Sequence, residues 1–291
     1  MNTVALMLVL ASAVAHATWN LLAKRAINQE IFIWLILVAT SGLLAPLAVF
    51  LILKYPVDDP GWWFILGTVV LHVFYFVFLG RSYTRTDISL AYPIARGTGP
   101  ALVPVLGVIV LKETIAPLAI AGIMAVILGI FIVHSWGHFR EALNNPFRLI
   151  RETGGRYALL TGLVIAIYSI WDKIGIRYVN PFLYMYFLVS GSALLLLPYI
   201  RRIHGTAKIK TEIKKRSNSI VISGLLMFIA YGLILSALTF SKVSYISPAR
   251  EIGIVVGVLF GALILREPFA KGRILGSCLI VLGLILILLA P

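Results

Sequence analysis

Apolar residues run through this chain in long blocks rather than in stripes. Ten blocks of mostly apolar residues, at 3–24, 31–53, 61–80, 87–111, 114–134, 157–178, 181–200, 218–239, 244–265 and 271–290, are separated by polar connections. A helix needs about 20 such residues to cross a bilayer. The blocks are apolar all round, so helices lying on a soluble surface are excluded. The alternation of barrel strands is missing, and the runs are too long for them. The pattern predicts an all-α integral membrane protein with ten transmembrane helices, spans 1 to 10. Most connections are short, so successive spans are antiparallel neighbours. Only 135–156 and 201–217 are longer, and both are polar and basic.

Composition agrees. The chain is 60% hydrophobic and only 12% charged, with mean hydropathy +1.00. A soluble domain is about a quarter charged, so this one lacks the polar groups to cover a water-facing surface. The N-terminal stretch, with Ala15 to Ala17 as an Ala-x-Ala, imitates a signal peptide. It has no basic residue ahead of its apolar run, however, and the helical pattern continues to Leu22, so it reads as span 1.

The net charge of +14 would point to nucleic acid in a soluble protein. Position gives another reading. Of 25 basic residues, eighteen fall in connections 1–2, 3–4, 5–6, 7–8 and 9–10, and five on the opposite side. The positive-inside rule makes the larger group cytoplasmic and puts both termini outside. This fits the cytoplasmic (inner) membrane of a bacterium or archaeon. Basic loops suit anionic lipid headgroups, and no aromatic interleaving supports a nucleic-acid partner. A single cysteine, Cys278, excludes an intrachain disulfide or a cysteine-based metal site.

The two halves repeat. Arg96, Gly99, Gly107, Leu111, Glu113, Gly122 and Gly129 recur 154 residues on as Arg250, Gly253, Gly261, Leu265, Glu267, Gly276 and Gly283. Pro93 meets Pro248 with a one-residue slip, and at a spacing of 152 Trp19 meets Trp171 and Asn20 meets Asp172. Residues 1–134 and 157–291 form the two copies, joined by the basic connection 135–156. Five spans is an odd number, so the second copy enters the membrane upside down. Such inverted repeats are typical of secondary transporters.

Spans 4 and 9 carry the most chemistry. Pro93 and Pro248 remove backbone donors early in each span and predict helix breaks. Carbonyls freed in lipid must face protein or a water-filled cavity. Arg96 lies about 14 Å into its span at ~1.5 Å per residue. A charge at that depth is paired or faces water. Arg96 and Arg250 are therefore the leading candidates to hold an anionic substrate group. The competing reading is an internal ion pair with Glu251 or Asp172, the two carboxylates well inside spans. A proton-coupled carrier needs a group whose charge changes, and Glu251, His16 and Asp172 are the candidates. Asp172 could instead pair with Lys173 or with helix-end carbonyls, and His72 reads as a core histidine. Tyr92, Trp19, Asn20, Tyr168 and Trp171 are candidate cavity walls. Glu113 and Glu267 read as structural end caps.

No Walker loop, Gly-x-Ser-x-Gly or His-Glu-x-x-His motif is present. His134 and His138 have no further ligand beside them, so neither a metal site nor a cofactor is expected. The glycines of spans 5 and 10 read as packing positions. Gly272 and Gly276 leave a monomer and a homodimer both open.

Two five-span copies, with Pro93 to Arg96 and Pro248 to Arg250 each followed by glycines and closed by Leu-Lys-Glu113 and Leu-Arg-Glu267, resemble the drug/metabolite transporter superfamily in its EamA branch. The resemblance covers the whole chain. It implies a carrier for amino acids, other metabolites or drugs, with spans 1, 3, 4, 6, 8 and 9 around a central cavity and spans 5 and 10 behind. The stretch from His16 through Trp19 and Asn20 to Lys24 is similar to a subgroup associated with phosphonate utilisation. Span 1 has no carboxylate, which departs from the small multidrug exporters. The expected function is alternating-access transport of a small polar or anionic metabolite, amino acid-like or organophosphonate. The alternatives are a membrane enzyme acting on lipid or lipid-linked substrates, which lacks a nucleophile or metal constellation, and a non-transporting scaffold, which gains nothing from buried arginines.

Overall fold

The computed structural model describes residues 1–24, 26–85, 88–136, 153–265 and 271–291, without the side chains of 83–85, 88–93, 135 and 265. Among the described residues the regular structure is all helical. The elements are α1 (Thr3–Ala23), α2 (Gln29–Leu43), α3 (Ala45–Lys54), α4 (Asp59–Arg85), α5 (Ile88–Leu111), α6 (Pro117–Ser135), α7 (Thr153–Gly175), α8 (Pro181–Phe240), α9 (Val243–Ala249), α10 (Ile252–Leu265) and α11 (Lys271–Leu289).

These elements map onto the ten spans with three departures. Span 2 is α2 and α3, bent by 56°. Leu44 sits at φ −98° and ψ 7°, with Pro46 just inside α3. Proline cannot donate to the preceding turn, so the helix restarts there. Secondly, spans 7 and 8 and the predicted polar connection 201–217 form one 60-residue element, α8. At ~1.5 Å per residue it would be about 90 Å long if straight, three bilayer cores. It is broken at Gly205 (φ 71°, ψ 163°) and Arg216 (φ −132°, ψ 16°), which turns the connection into a short helix between two spans. Glycine is the residue that reaches positive φ without strain. Thirdly, α5 runs unbroken through Pro93, so the predicted break in span 4 is absent. Proline there removes its own donor, and the helical backbone continues past it. Span 9 does break: α9 ends at Ala249 and α10 begins at Ile252.

The packing follows the repeat. Spans 3 and 4 pack on span 6, as spans 8 and 9 pack on span 1, and span 5 lies against span 10. Lipid offers helices no hydrophobic reason to associate, so close backbone approach carries the packing. A Cβ at Gly122 would lie 2.6 Å from the Gly283 carbonyl oxygen, and one at Gly129 would lie 2.7 Å from that of Gly276. The repeat equates Gly122 with Gly276 and Gly129 with Gly283. The two contacts therefore exchange under a pseudo-two-fold axis, and spans 5 and 10 run antiparallel, as an inverted repeat requires. Large apolar side chains such as Leu53, Trp63, Leu194 and Leu263 face outward.

Polar caps tie the ends together. The Glu113 carboxylate accepts from the backbone N–H of Val243 and Ser244 at 2.9 and 3.0 Å, capping α9. Its structural reading thus holds, whereas Glu267 lies outside the described residues. Buried Glu212, on the connecting helix, accepts from the N–H of Ile27 and Asn28 at 3.1 and 3.0 Å. His204 contacts Glu30 at 2.6 Å beside it.

Candidate functional site

A cavity of about 120 Å³ lies at the centre of the bundle. Its polar lining comes from Ser12, His16 and Trp19 on span 1, His72 and Tyr75 on span 3, Arg96 on span 4, Tyr168 on span 6, Tyr231 on span 8 and Arg250 on span 9. Leu37, Phe76, Met185, Leu188, Met227 and Ile234 close it with apolar surface. Spans 5 and 10 contribute nothing to this lining, but spans 2 and 7 do, beyond the six spans expected.

Arg96 and Arg250 come from different repeats and meet at Glu251. The Arg96 Nη2 lies 3.4 Å from Glu251 Oε2, and the Arg250 Nε lies 3.3 Å from Glu251 Oε1. Both distances are long for a charge-assisted hydrogen bond, about 2.7–2.9 Å at its best. The break in span 9 produces this geometry. Across Pro248 to Ile254 the chain tightens to three-residue bonds, Glu251 N–H to the Pro248 carbonyl and Ile254 N–H to that of Glu251. That turn aims adjacent residues, Arg250 and Glu251, into one cluster. The Glu251 side chain is 1% exposed, against 16% and 12% for Arg96 and Arg250. Both guanidiniums line the cavity, and the carboxylate between them sits behind it. The ion-pair and ligand-holding readings of the arginines are thus geometrically compatible.

The other candidates divide. Trp19 lines the cavity and its Nε1 donates to His16 Nδ1 at 3.2 Å. That bond needs the Nδ1 lone pair, so His16 is held as an acceptor there. Tyr168 also lines the cavity, stacked on His72 with ring centroids 4.3 Å apart. Asn20 is not in the lining: its amide donates to the His16 carbonyl at 2.7 Å. Trp171 is not in it either. Its indole donates to the Phe64 carbonyl at 2.8 Å and fills the space over Gly67, where a Cβ would be 2.4 Å from the ring. A missing side chain in span 3 thus draws the tryptophan away from the centre. The Tyr92 and Pro93 side chains lie outside the described residues.

Asp172 does not pair with Lys173. Lys173 donates to the carbonyls of Leu238 and Ser241. Asp172 is fully buried and accepts from the hydroxyls of Tyr184 at 2.8 Å and Tyr231 at 2.6 Å. His72, read from sequence as a core histidine, stands in the cavity wall. Tyr75, Phe76 and Met227 also line the cavity, and nothing in the sequence singles them out, since they are ordinary apolar or aromatic letters in apolar helices. A signal for one pair existed: Tyr168 is the counterpart of His16 at the same spacing of 152 that relates Trp19 to Trp171.

An all-helical bundle of two inverted copies with a charged central cavity has the form of a membrane carrier. The family comparison agrees: the model of the EamA-like transporter family matches residues 3–135 and again 153–289. The chain belongs to that family and is a multi-pass membrane transporter of the drug/metabolite type. The match is to the family and does not reach the phosphonate-associated subgroup. A solved crystal structure of a protein superposes with a TM-score of 0.74 over 100% of this chain and 98% of its own, at 15% identity, a likeness of fold alone. No curated protein matches the chain.

Proposed function

We propose that this protein is a secondary-active transporter of a small organic anion, bound between Arg96 and Arg250 and moved by alternating access. The observation that carries this reading is that two guanidiniums line the central cavity while Glu251 is withdrawn behind them. No carboxylate lines the cavity among the described residues, which favours an anion over a zwitterion, whose ammonium would need one. Size supports a small cargo. The ~150 Å³ that takes a benzene ring is a fair guide, so about 120 Å³ holds roughly five non-hydrogen atoms. Carboxylates and phosphonates both suit planar guanidinium donors. The basic bias of the odd-numbered connections supports a cytoplasmic location for them and an outward location for both termini.

Ligand-induced thermal stabilisation of the purified protein tests the substrate class. Lactate and methylphosphonate should raise the unfolding midpoint, and ethylammonium and alanine should not. Arg250→Gln should weaken the lactate response by tenfold or more, because a desolvated charge contact is worth ~2 kcal/mol or more. Stabilisation by ethylammonium or alanine instead, or a lactate response untouched by Arg96→Gln and Arg250→Gln, would overturn the assignment.

A further inference from the structure

We propose that Asp172 and His72 form a proton-binding site directly behind the substrate cavity, and that its protonation strengthens anion binding. The inference rests on the anion reading above for its second half only.

Both membrane-embedded carboxylates belong to the second repeat. At the spacings that relate the copies, Asp172 corresponds to Asn20 and Glu251 to Gly97. Glu251 is engaged by two arginines. Among the described residues Asp172 instead accepts from neutral hydroxyls, Tyr184 from span 7 and Tyr231 from span 8. From span 3, Thr68 and His72 face it, with His72 in electrostatic reach. From span 9, Arg250 is in electrostatic reach of His72, Tyr168 and Tyr231. On its own helix Lys173 turns away to the Leu238 and Ser241 carbonyls. A buried carboxylate held by neutral groups beside an imidazole is an arrangement that exchanges a proton, since burying an uncompensated charge costs several kcal/mol.

His72 connects this pair to the cavity. Its Nδ1 lies 2.9 Å from the Thr68 carbonyl and 3.1 Å from the Thr68 hydroxyl; the carbonyl can only accept, so the tautomer that satisfies it carries its hydrogen on Nδ1. Nε2 is left as the position through which a proton can pass between the cavity and Asp172. The ring lines the cavity, stacks on Tyr168, and meets Tyr231 edge-on at 5.7 Å. Tyr231 in turn donates to Asp172. A proton entering from the cavity passes to the Asp172 carboxylate, which becomes a carboxylic acid among its tyrosine hydroxyls beside a neutral imidazole. The pair is then neutral. When the proton leaves to water, the pair carries one negative charge. That charge opposes an anion at Arg250, and protonation removes the opposition. By linkage, a bound anion favours the proton equally. The pair therefore couples the two in the same direction, as co-transport requires.

Infrared titration of the protein in liposomes, without any substrate, tests the proton site itself. We expect a protonated-carboxyl band that titrates between pH 4 and 9. It should vanish in Asp172→Asn, move by about one pH unit in His72→Gln, and survive in Glu251→Gln. Asp172→Asn keeps the shape and matches Asn20 of the first copy. Should it fail to fold, Tyr231→Phe must still move the band. Absence of a titrating band in the wild type, or its persistence in Asp172→Asn, would overturn the site. The linkage is read with lactate, whose own charge is constant from pH 5 to 8. Its affinity should fall about tenfold across that range in the wild type and stay flat in Asp172→Asn. The same slope in both proteins would overturn the linkage. Failure of lactate to bind at all would strike the anion reading and leave the infrared result standing.

Discussion

Glu251 holds two guanidiniums of opposite repeats in one place, and its replacement separates two roles. Glu251→Gln keeps the volume and removes the charge between Arg96 and Arg250. Removing one member of a fully buried pair costs about 3–5 kcal/mol; the arginines here are partly exposed, so the lower end applies. The unfolding midpoint should fall. The stabilisation by lactate should grow, because the added anion replaces the lost carboxylate. An unchanged midpoint with unchanged lactate response would show that Glu251 takes no part in the cluster. Which residues carried charge into the membrane was legible in the sequence, because their insertion is expensive. Which way side chains faced was not. Trp19 and Trp171 are repeat counterparts, yet only Trp19 reaches the cavity, because Gly67 opens a slot that Trp171 fills. Asp172 similarly finds its tyrosines on spans 7 and 8, contacts between residues 12 and 59 positions apart. No local pattern encodes them.

At the scale of elements, the ten apolar blocks predicted the helices well because a bilayer leaves the backbone few alternatives. The misses are at breaks. Pro93 does not interrupt α5, whereas Pro46 and Pro248 sit beside real bends. Proline position alone does not decide this, since neighbouring elements determine whether a freed carbonyl can be accommodated. Gly205 and Arg216 mark the ends of the connecting helix between spans 7 and 8. That helix docks through Glu212 onto the start of span 2. Its exposed face gives a direct reading of sidedness. In a Cys278→Ala background, Lys208→Cys should react with a membrane-impermeant maleimide only when the cytoplasmic face is opened. Labelling from outside intact cells would reverse the orientation. The site avoids Gly205 itself, where positive φ would strain a side chain.

For the whole molecule, the inverted repeat has a mechanical meaning. Spans 5 and 10 meet at glycine pairs related by the pseudo-two-fold axis and lie away from the cavity. The spans that line the cavity come from both copies. In the alternating-access reading proposed above, two similar halves exchange conformations about the site between them, and opening on one side becomes opening on the other. The net +14 of the sequence divides accordingly. Most basic residues fall in one set of connections, and two stand in the cavity wall. The repeat and that pair were visible in the letters, whereas the cavity's size and the withdrawal of Glu251 behind the arginines required the packed structure.

Uptake into proteoliposomes tests the central claim most directly. Labelled lactate and methylphosphonate should enter vesicles containing the protein, preloaded with the same unlabelled anion to drive exchange. Rates should drop by tenfold or more with Arg96→Gln or Arg250→Gln, and labelled alanine should not enter. Exchange of alanine but of neither anion, or anion exchange at the wild-type rate in both arginine variants, would contradict the account.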